Sequence, residues 1–371
     1  MIEPNAISVV ICAYTEERWG DLMTAIASVR RQTVSPREII LVVDHNDALL
    51  ARAGAHFDDV QIVPNDGHRG LSDARNAGIA VACGEIVAFL DDDAAADPAW
   101  LGRLAEAYDD GVAGVGGTVA PLWDNGRPPW FPHAFDWVVG CSYEGLPETR
   151  QPVRNMIGAN MSLRVTAIRA AAGFNPIIGR VSAGASESND EGRLRSRRQR
   201  LRRRAGVPRT QLLCSECEET ELCLRIAEIL QDARILFEPA ARVTHRVPAA
   251  RRTFKYFARR CYSEGVAKGF LATVIGGQPL ATERAYVVRV LPRSFLRGVR
   301  DGLSGDSGGF LRAAAIVAGF IATAAGYLAG RIRTRRAGSE GARSTAVVPG
   351  VQSAAKLPPL ARQRSRTSST S

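Results

Sequence analysis

Short, almost uninterrupted apolar runs alternate with amphipathic stretches along the N-terminal part of this chain, and each run stops abruptly at a polar side chain. Ile7–Cys12 (ISVVIC), Glu38–Val43 (EIILVV) and Glu85–Leu90 (EIVAFL) have the length and β-branched content of strands, with a shorter strand at Gln61–Val63. Between them, Asp21–Arg31 and Leu71–Ala82 read as helices. Strands apolar on both faces and separated by helices imply a parallel sheet covered on both sides. Ligands of such sheets sit outside the carboxyl ends of the strands. Tyr14, Asp44 and Asp91–Asp93 all follow strands at that rim.

Farther along, Gly116–Ile157 is rich in Gly, Pro and Trp and reads as loops and irregular structure. Helices are expected at Arg164–Ala172, Glu219–Gln231 and Arg251–Lys268, with a strand at Arg234–Phe237. No internal repeat is visible. With 46% hydrophobic residues among 371, the chain can bury a sizeable core.

The net charge of +10 is local. Nine arginines fall between Arg193 and Arg209, inside a low-complexity Ser/Glu/Arg insertion spanning 182–211, and others cluster in the tail. The remaining core is nearly neutral, so nucleic acid is an unlikely partner and the arginines read as appendages. Seven scattered cysteines, an odd number, suit a reducing compartment better than a disulfide framework. Cys214 and Cys217 form one CxxC with Cys223 nearby, but no second pair completes a zinc site. Met1–Ala6 is short and polar and lacks a signal-peptide pattern, which points to a cytoplasmic catalytic side.

Asp91, Asp92 and Asp93, followed by Asp97, cluster carboxylates that repel one another unless a cation is present. The alternative is an acidic helix N-terminus ahead of Pro98. Glu218 and Glu219 likewise open a helix, where negative charge is favourable in any case. His245 is either a ligand or a structural residue. Arg251, Arg252, Arg259 and Arg260 fall on one expected helix face, suited to diphosphate, an anionic acceptor or lipid headgroups, or else simply solvated.

Taken in order, VVICAYTEER, the LVVD strand end, GLSDARNAGI with FLDDD behind it, and GANMSLR followed by EETELCLRI resemble the family 2 glycosyltransferases over roughly residues 7–268. The resemblance implies an α/β GT-A fold: a Rossmann-like, mostly parallel sheet with helices on both faces. It implies inverting transfer from a nucleotide-sugar donor, with UDP the expected nucleotide, and Mn2+ or Mg2+ as cofactor. By the same resemblance Ala13, Tyr14, Glu16 or Glu17 and Asp44 cradle the base. Where the family carries a second Asp, this chain has His45. Arg75 approaches the nucleotide or its phosphates, Asp91 meets the ribose, and Asp92 shares the donor site. Asp93, with Asp91 and His245, ligates the metal. Gly158, Ala159 and Asn160 line the sugar or acceptor pocket. Glu219 is the base, with Glu218 as fallback, although the family usually has Asp at the second position.

Ala313–Gly330 is an uncharged apolar run of 18 residues. At 1.5 Å per residue it reaches roughly 27 Å, the lower limit for crossing a bilayer. Arginines flank it on both sides, so spanning, surface-lying and buried forms all remain open. The expected organisation is a GT-A domain over 1–270, a membrane-associating helical region over 271–336 and a disordered tail over 337–371. The acceptor is then a lipid-linked or cell-envelope glycan at the cytoplasmic face of a membrane. Two rivals are a retaining transferase on the same fold and a nucleic-acid binder using the Arg-rich insertion. An inactive relative is a third possibility, given Glu219 and His45.

Overall fold

Strand, helix and strand repeat three times at the start of the chain because each apolar run must bury both faces. In a computed structural model describing residues 6–176, 217–274 and 281–341, β1 (Ile7–Ala13), β2 (Glu38–Val43), β3 (Gln61–Pro64) and β4 (Ile86–Asp91) are parallel neighbours in the order β3-β2-β1-β4. They are joined through α1 (Trp19–Arg30), α2 (Asp47–His56) and α3 (Leu71–Val81). Alternate residues serve opposite layers: Val9, Ile11 and Leu41 belong to one core, Val10, Ile40 and Val42 to the other. That double burial is why the strands read as continuous apolar runs. Helix α2, absent from the sequence expectation, starts where the Asn46 side chain accepts a hydrogen bond from Leu49 N at 3.0 Å.

The sheet continues as β8, β6, β9 and β5, and there it becomes mixed. Strand β5 (Ala94–Ala96) is followed by α4 (Trp100–Glu106), β6 (Val112–Trp123), a 3-10 segment at His133–Val139, β7 (Gln151–Pro152), β8 (Asn160–Arg164) and α5 (Val165–Ala170). Helix α6 (Glu218–Ile229) and β9 (Arg234–Val247) complete it. β8 runs antiparallel to β4 and β6, β5 and β7 antiparallel to β9, and β6 parallel to β9.

The reading of 116–157 as loops is therefore corrected: its first eight residues are the second part of a twelve-residue strand. Its glycines are there for close approach, since a Cβ on Gly117 would collide with the Ala241 carbonyl oxygen. The strand expected at Arg234–Phe237 likewise extends to Val247 and carries His245.

A 3-10 turn at Ala249–Arg252 leads into α7 (Phe254–Val274), so Arg251 and Arg252 precede the helix on which they were expected. The C-terminal part continues as α8 (Ala281–Ala285), a π-helical turn at Tyr286–Val290, α9 (Leu291–Leu303) and α10 (Ser307–Gly341). Helix α10 extends five residues into the expected tail. The rest of that tail and the Arg-rich insertion at 182–211 lie outside the described residues. A Cβ on Gly265 of α7 would collide with Thr323 O, and one on Gly326 of α10 with Tyr262 O. The two helices thus touch backbone to backbone, as small-residue pairs at four-residue spacing permit.

Candidate active site

Register brings the rim together. Ala13 pairs with Val43, Cys12 pairs with Asp91, and Asp44 N donates to Ala13 O at 2.8 Å. Asp44 and Asp91 therefore end strands on either side of β1, about 10 Å apart by two strand spacings. Asp44 is buried, accepting hydrogen bonds from Asn65 Nδ2 at 2.7 Å and Gly70 N at 3.1 Å, with His45 Nδ1 2.8 Å away. The departure at His45 thus adds a neighbour to the carboxylate. Tyr14 is exposed beside it on the loop after β1, with Glu16 and Glu17 exposed on the 3-10 turn Glu16–Arg18.

The turn after β4 and the long strand β9 meet over Asp93. Ala94 lies opposite His245, which places His245 Nε2 3.0 Å from Asp93 Oδ1. Ligand atoms of Asp91, Asp93 and His245 all lie within 4.8 Å of one another, a set that fits one divalent cation. Burial alone would raise the Asp93 carboxyl. The hydrogen bond from His245, with the charges on His245, Arg18 and Arg251, outweighs it and holds Asp93 well below the usual carboxylate range. Asp92 behaves in the opposite way: burial pushes it up to about 7, against Arg18 and aided by Asp93 and Asp91.

Two arginines complete this centre, of which Arg18 escaped the sequence reading. Arg18 Nη1 reaches Asp92 at 2.9 Å and Asp93 at 3.1 Å, and Arg251 Nη2 lies 3.7 Å from Asp93. The available signal for Arg18 was its place directly after Glu16-Glu17 on the rim. Arg251 was noticed only as part of a basic helix face; Arg252 instead donates to Asn125 O at 3.0 Å.

Arg75 joins the rim to α6. It is 2% exposed, with Nη1 3.2 Å from Glu218 Oε1 and Nη2 3.8 Å from Asp91 Oδ1, and it packs against the Phe89 and Phe174 rings. It is no solvated helix arginine. Gly158 lies against it, contributing its carbonyl oxygen at 3.5 Å and leaving no room for a Cβ. Glu218 is buried on this arginine, whereas Glu219 is less buried and makes no ion pair among the described residues. Burial first, and the neighbouring Glu218 second, push Glu219 up to about 8 against the lowering effect of Arg75. Asp92 Oδ2 and Glu218 Oε2 are buried acceptors without a partner among the described residues, as groups awaiting a ligand are.

The pocket expected at Gly158–Asn160 is corrected in part. Asn160 is 0% exposed; its amide donates to Thr118 O and Ala241 O, and its Oδ1 accepts from Trp100 Nε1 at 2.8 Å. Its side chain stitches β8 to β6 and β9, and Ala159 joins the core, so neither lines a pocket.

Residues 8–171 match the family model described as Glycosyl transferase family 2. The glucosyl-dolichyl phosphate glucuronosyltransferase of Haloferax volcanii is 32% identical over 268 residues, covering 71% of this chain and 76% of that protein. Among solved structures, the mannosyltransferase PcManGT of Pyrobaculum calidifontis in complex with GDP-Man and Mn2+ is similar at a TM-score of 0.48 and 15% identity. That likeness covers 92% of this chain and 81% of the other. GalNAc-T7 with UDP, GalNAc and Mn2+ gives a TM-score of 0.45 and 19% identity, over 74% of this chain and 51% of that one.

Proposed function

The chain belongs to glycosyl transferase family 2, and from that premise we propose that it transfers a sugar, with inversion, from a UDP-sugar to a lipid-linked or cell-envelope glycan acceptor. The observation that carries this reading is the convergence of Asp91, Asp93 and His245 within 4.8 Å beside the Arg75-linked start of α6. Asp91, Asp93 and His245 would hold a divalent cation, which supplies the charge that neutralises a leaving diphosphate. An imidazole in the set favours Mn2+ over Mg2+, since Mg2+ prefers an all-oxygen shell.

Glu219 takes the proton from the acceptor hydroxyl. A carboxyl near 8 is a stronger base than an ordinary glutamate, and its ionised share grows as pH rises toward 8. Glu218, occupied by Arg75, holds that arginine and the helix start in position. The base cradle is formed by Ala13, Tyr14 and Asp44, with Glu16 or Glu17 at its edge. UDP is taken from the family resemblance, and a lipid-linked acceptor from the dolichyl phosphate relative. The odd, scattered cysteine count is the support for placing it in a reducing compartment, at the cytoplasmic face of the membrane.

The test is a donor screen with Mn2+ and Mg2+ read by nucleotide release, with Glu219→Gln beside the parent. The variant is expected to bind donor normally and to lose about 10^2- to 10^4-fold in kcat. Unchanged turnover removes Glu219 from the base role, and a product of retained anomeric configuration removes direct inversion.

A further inference from the structure

Helix α10 has two unlike faces. One is pressed on α7, where Gly265 and Gly269 meet Thr323 and Tyr327 while Gly326 and Gly330 meet Tyr262 and Val266. The other is open: every exposed residue from 310 to 332 is apolar. Phe310, Val317, Ile321, Leu328 and Ile332 recur at spacings of seven and four, which keeps them on one stripe. The stripe is about 33 Å long at 1.5 Å per residue. An apolar surface of that extent is rarely left bare on a soluble protein.

Charge identifies what covers it. Between Tyr286 and Arg335 the chain carries eight arginines and two aspartates. Both aspartates, Asp301 and Asp306, are paired with Arg312. On α9 and the turn before it, exposed Arg289, Arg293 and Arg300 alternate with exposed Val288, Leu296 and Leu303. Apolar side chains interleaved with cations match an anionic lipid interface. A second copy of this chain would instead bring like charges together.

Packing decides the orientation. Helices α7 and α10 run parallel and in contact from the Phe257–Gly319 level to the Val266–Gly330 level. Over that stretch α7 carries Arg259, Arg260 and Glu264, with Lys268 just beyond. A bilayer-spanning α10 would draw these charges to hydrocarbon depth together with Phe135, which also touches Gly319 and belongs to the catalytic body. Intramembrane charge is costly and irregular backbone at that depth is not tolerated against lipid. We propose that the open face of α10, with the basic face of α9, lies along the surface of an anionic bilayer, the helix axis in the membrane plane rather than across it.

The full-length protein is tested by flotation with phosphatidylcholine vesicles and with phosphatidylcholine–phosphatidylglycerol vesicles. It is expected to float with the anionic vesicles, to be released by alkaline carbonate, and to lose binding when Ile321→Glu and Leu328→Glu are combined. Arg293→Gln with Arg300→Gln, at side chains exposed to solvent, is expected to weaken binding roughly thirtyfold at low salt. Circular dichroism melts confirm that each variant is folded, and the arginine pair serves if the glutamate pair is not. With Cys12→Ser, Cys83→Ser and Cys214→Ser together as background, Ser307→Cys and Arg333→Cys should both react with a membrane-impermeant maleimide outside sealed vesicles. Reaction of only one, or resistance to carbonate, overturns the surface orientation. Failure to bind either vesicle, or a dimer in solution that Ile321→Glu splits, overturns the lipid partner. None of these readouts involves sugar transfer, so their failure leaves the transferase assignment standing.

Discussion

The rim of β1, β2 and β4 and the α7–α10 pair bury apolar sequence by different rules. At the rim each strand is enclosed by two layers, and whatever follows it must emerge at one edge; Asp44 and Asp91 are placed by strand register alone. In the helix pair, Ala313–Gly330 has no inside until α7 lies along it, because its glycines accept a partner's backbone while Val317, Phe320, Ile321 and Leu328 face away. A polar residue after a buried strand is thus placed by a local pattern. An apolar helix acquires its meaning from its neighbour.

Three experiments probe that division. The largest effect is expected from Asp93→Ala, which removes a rim carboxylate shared by His245, Arg18 and Arg251. Metal-dependent donor binding and turnover should fall about 10^3-fold, the scale of losing a principal electrostatic group, in nucleotide-release and calorimetric titrations. Its melting temperature should not collapse; if it does, the carboxylate is part of the scaffold and the division fails.

Gly326→Leu comes next, because its side chain would drive into the Tyr262 carbonyl. A loss of about 3 kcal/mol is expected in denaturant unfolding, the upper range for overpacking. Donor affinity should be unchanged, and a parallel loss of affinity would join the two regions into one functional unit.

The last experiment is a pH dependence. Because Glu219 is raised to about 8 in the folded chain, above its ordinary 4.5, the folded state retains a proton that the unfolded state has released. Stability from this group is complete below 4.5 and is lost as pH rises through about 8, while kcat/KM should rise over the same upper range. Glu219→Gln should flatten the stability profile between those limits, as read by thermal melts across pH. A profile identical to the parent's would mean that the carboxyl is not shifted.

Much of the candidate donor side was legible because strand ends announce themselves: β1 to β4 and the Asp91–Asp93 cluster followed from apolar runs, and the candidate role of His245 from the family resemblance. The residues that were missed or misjudged depend on partners distant in sequence. Gly116 and Gly117 looked like loop because composition does not reveal that Met156, Asn160 and Ala241 press on them. Asn160 looked like a pocket residue, yet its amide is consumed by Thr118, Ala241 and Trp100. Arg18 and Arg251 are more than two hundred residues apart and converge on one carboxylate.

By itself the amino-acid order determined the parallel half of the sheet, the edge at which its polar side chains gather and the residue types offered there, since these follow from periodicity and from the need to bury apolar strands. Only the tertiary structure decided which charges meet Asp93, which glutamate Arg75 holds, and which side of α10 is left bare. Such choices depend on contacts between elements distant in the chain, and no local pattern encodes the distance between two side chains that meet only after the sheet has closed.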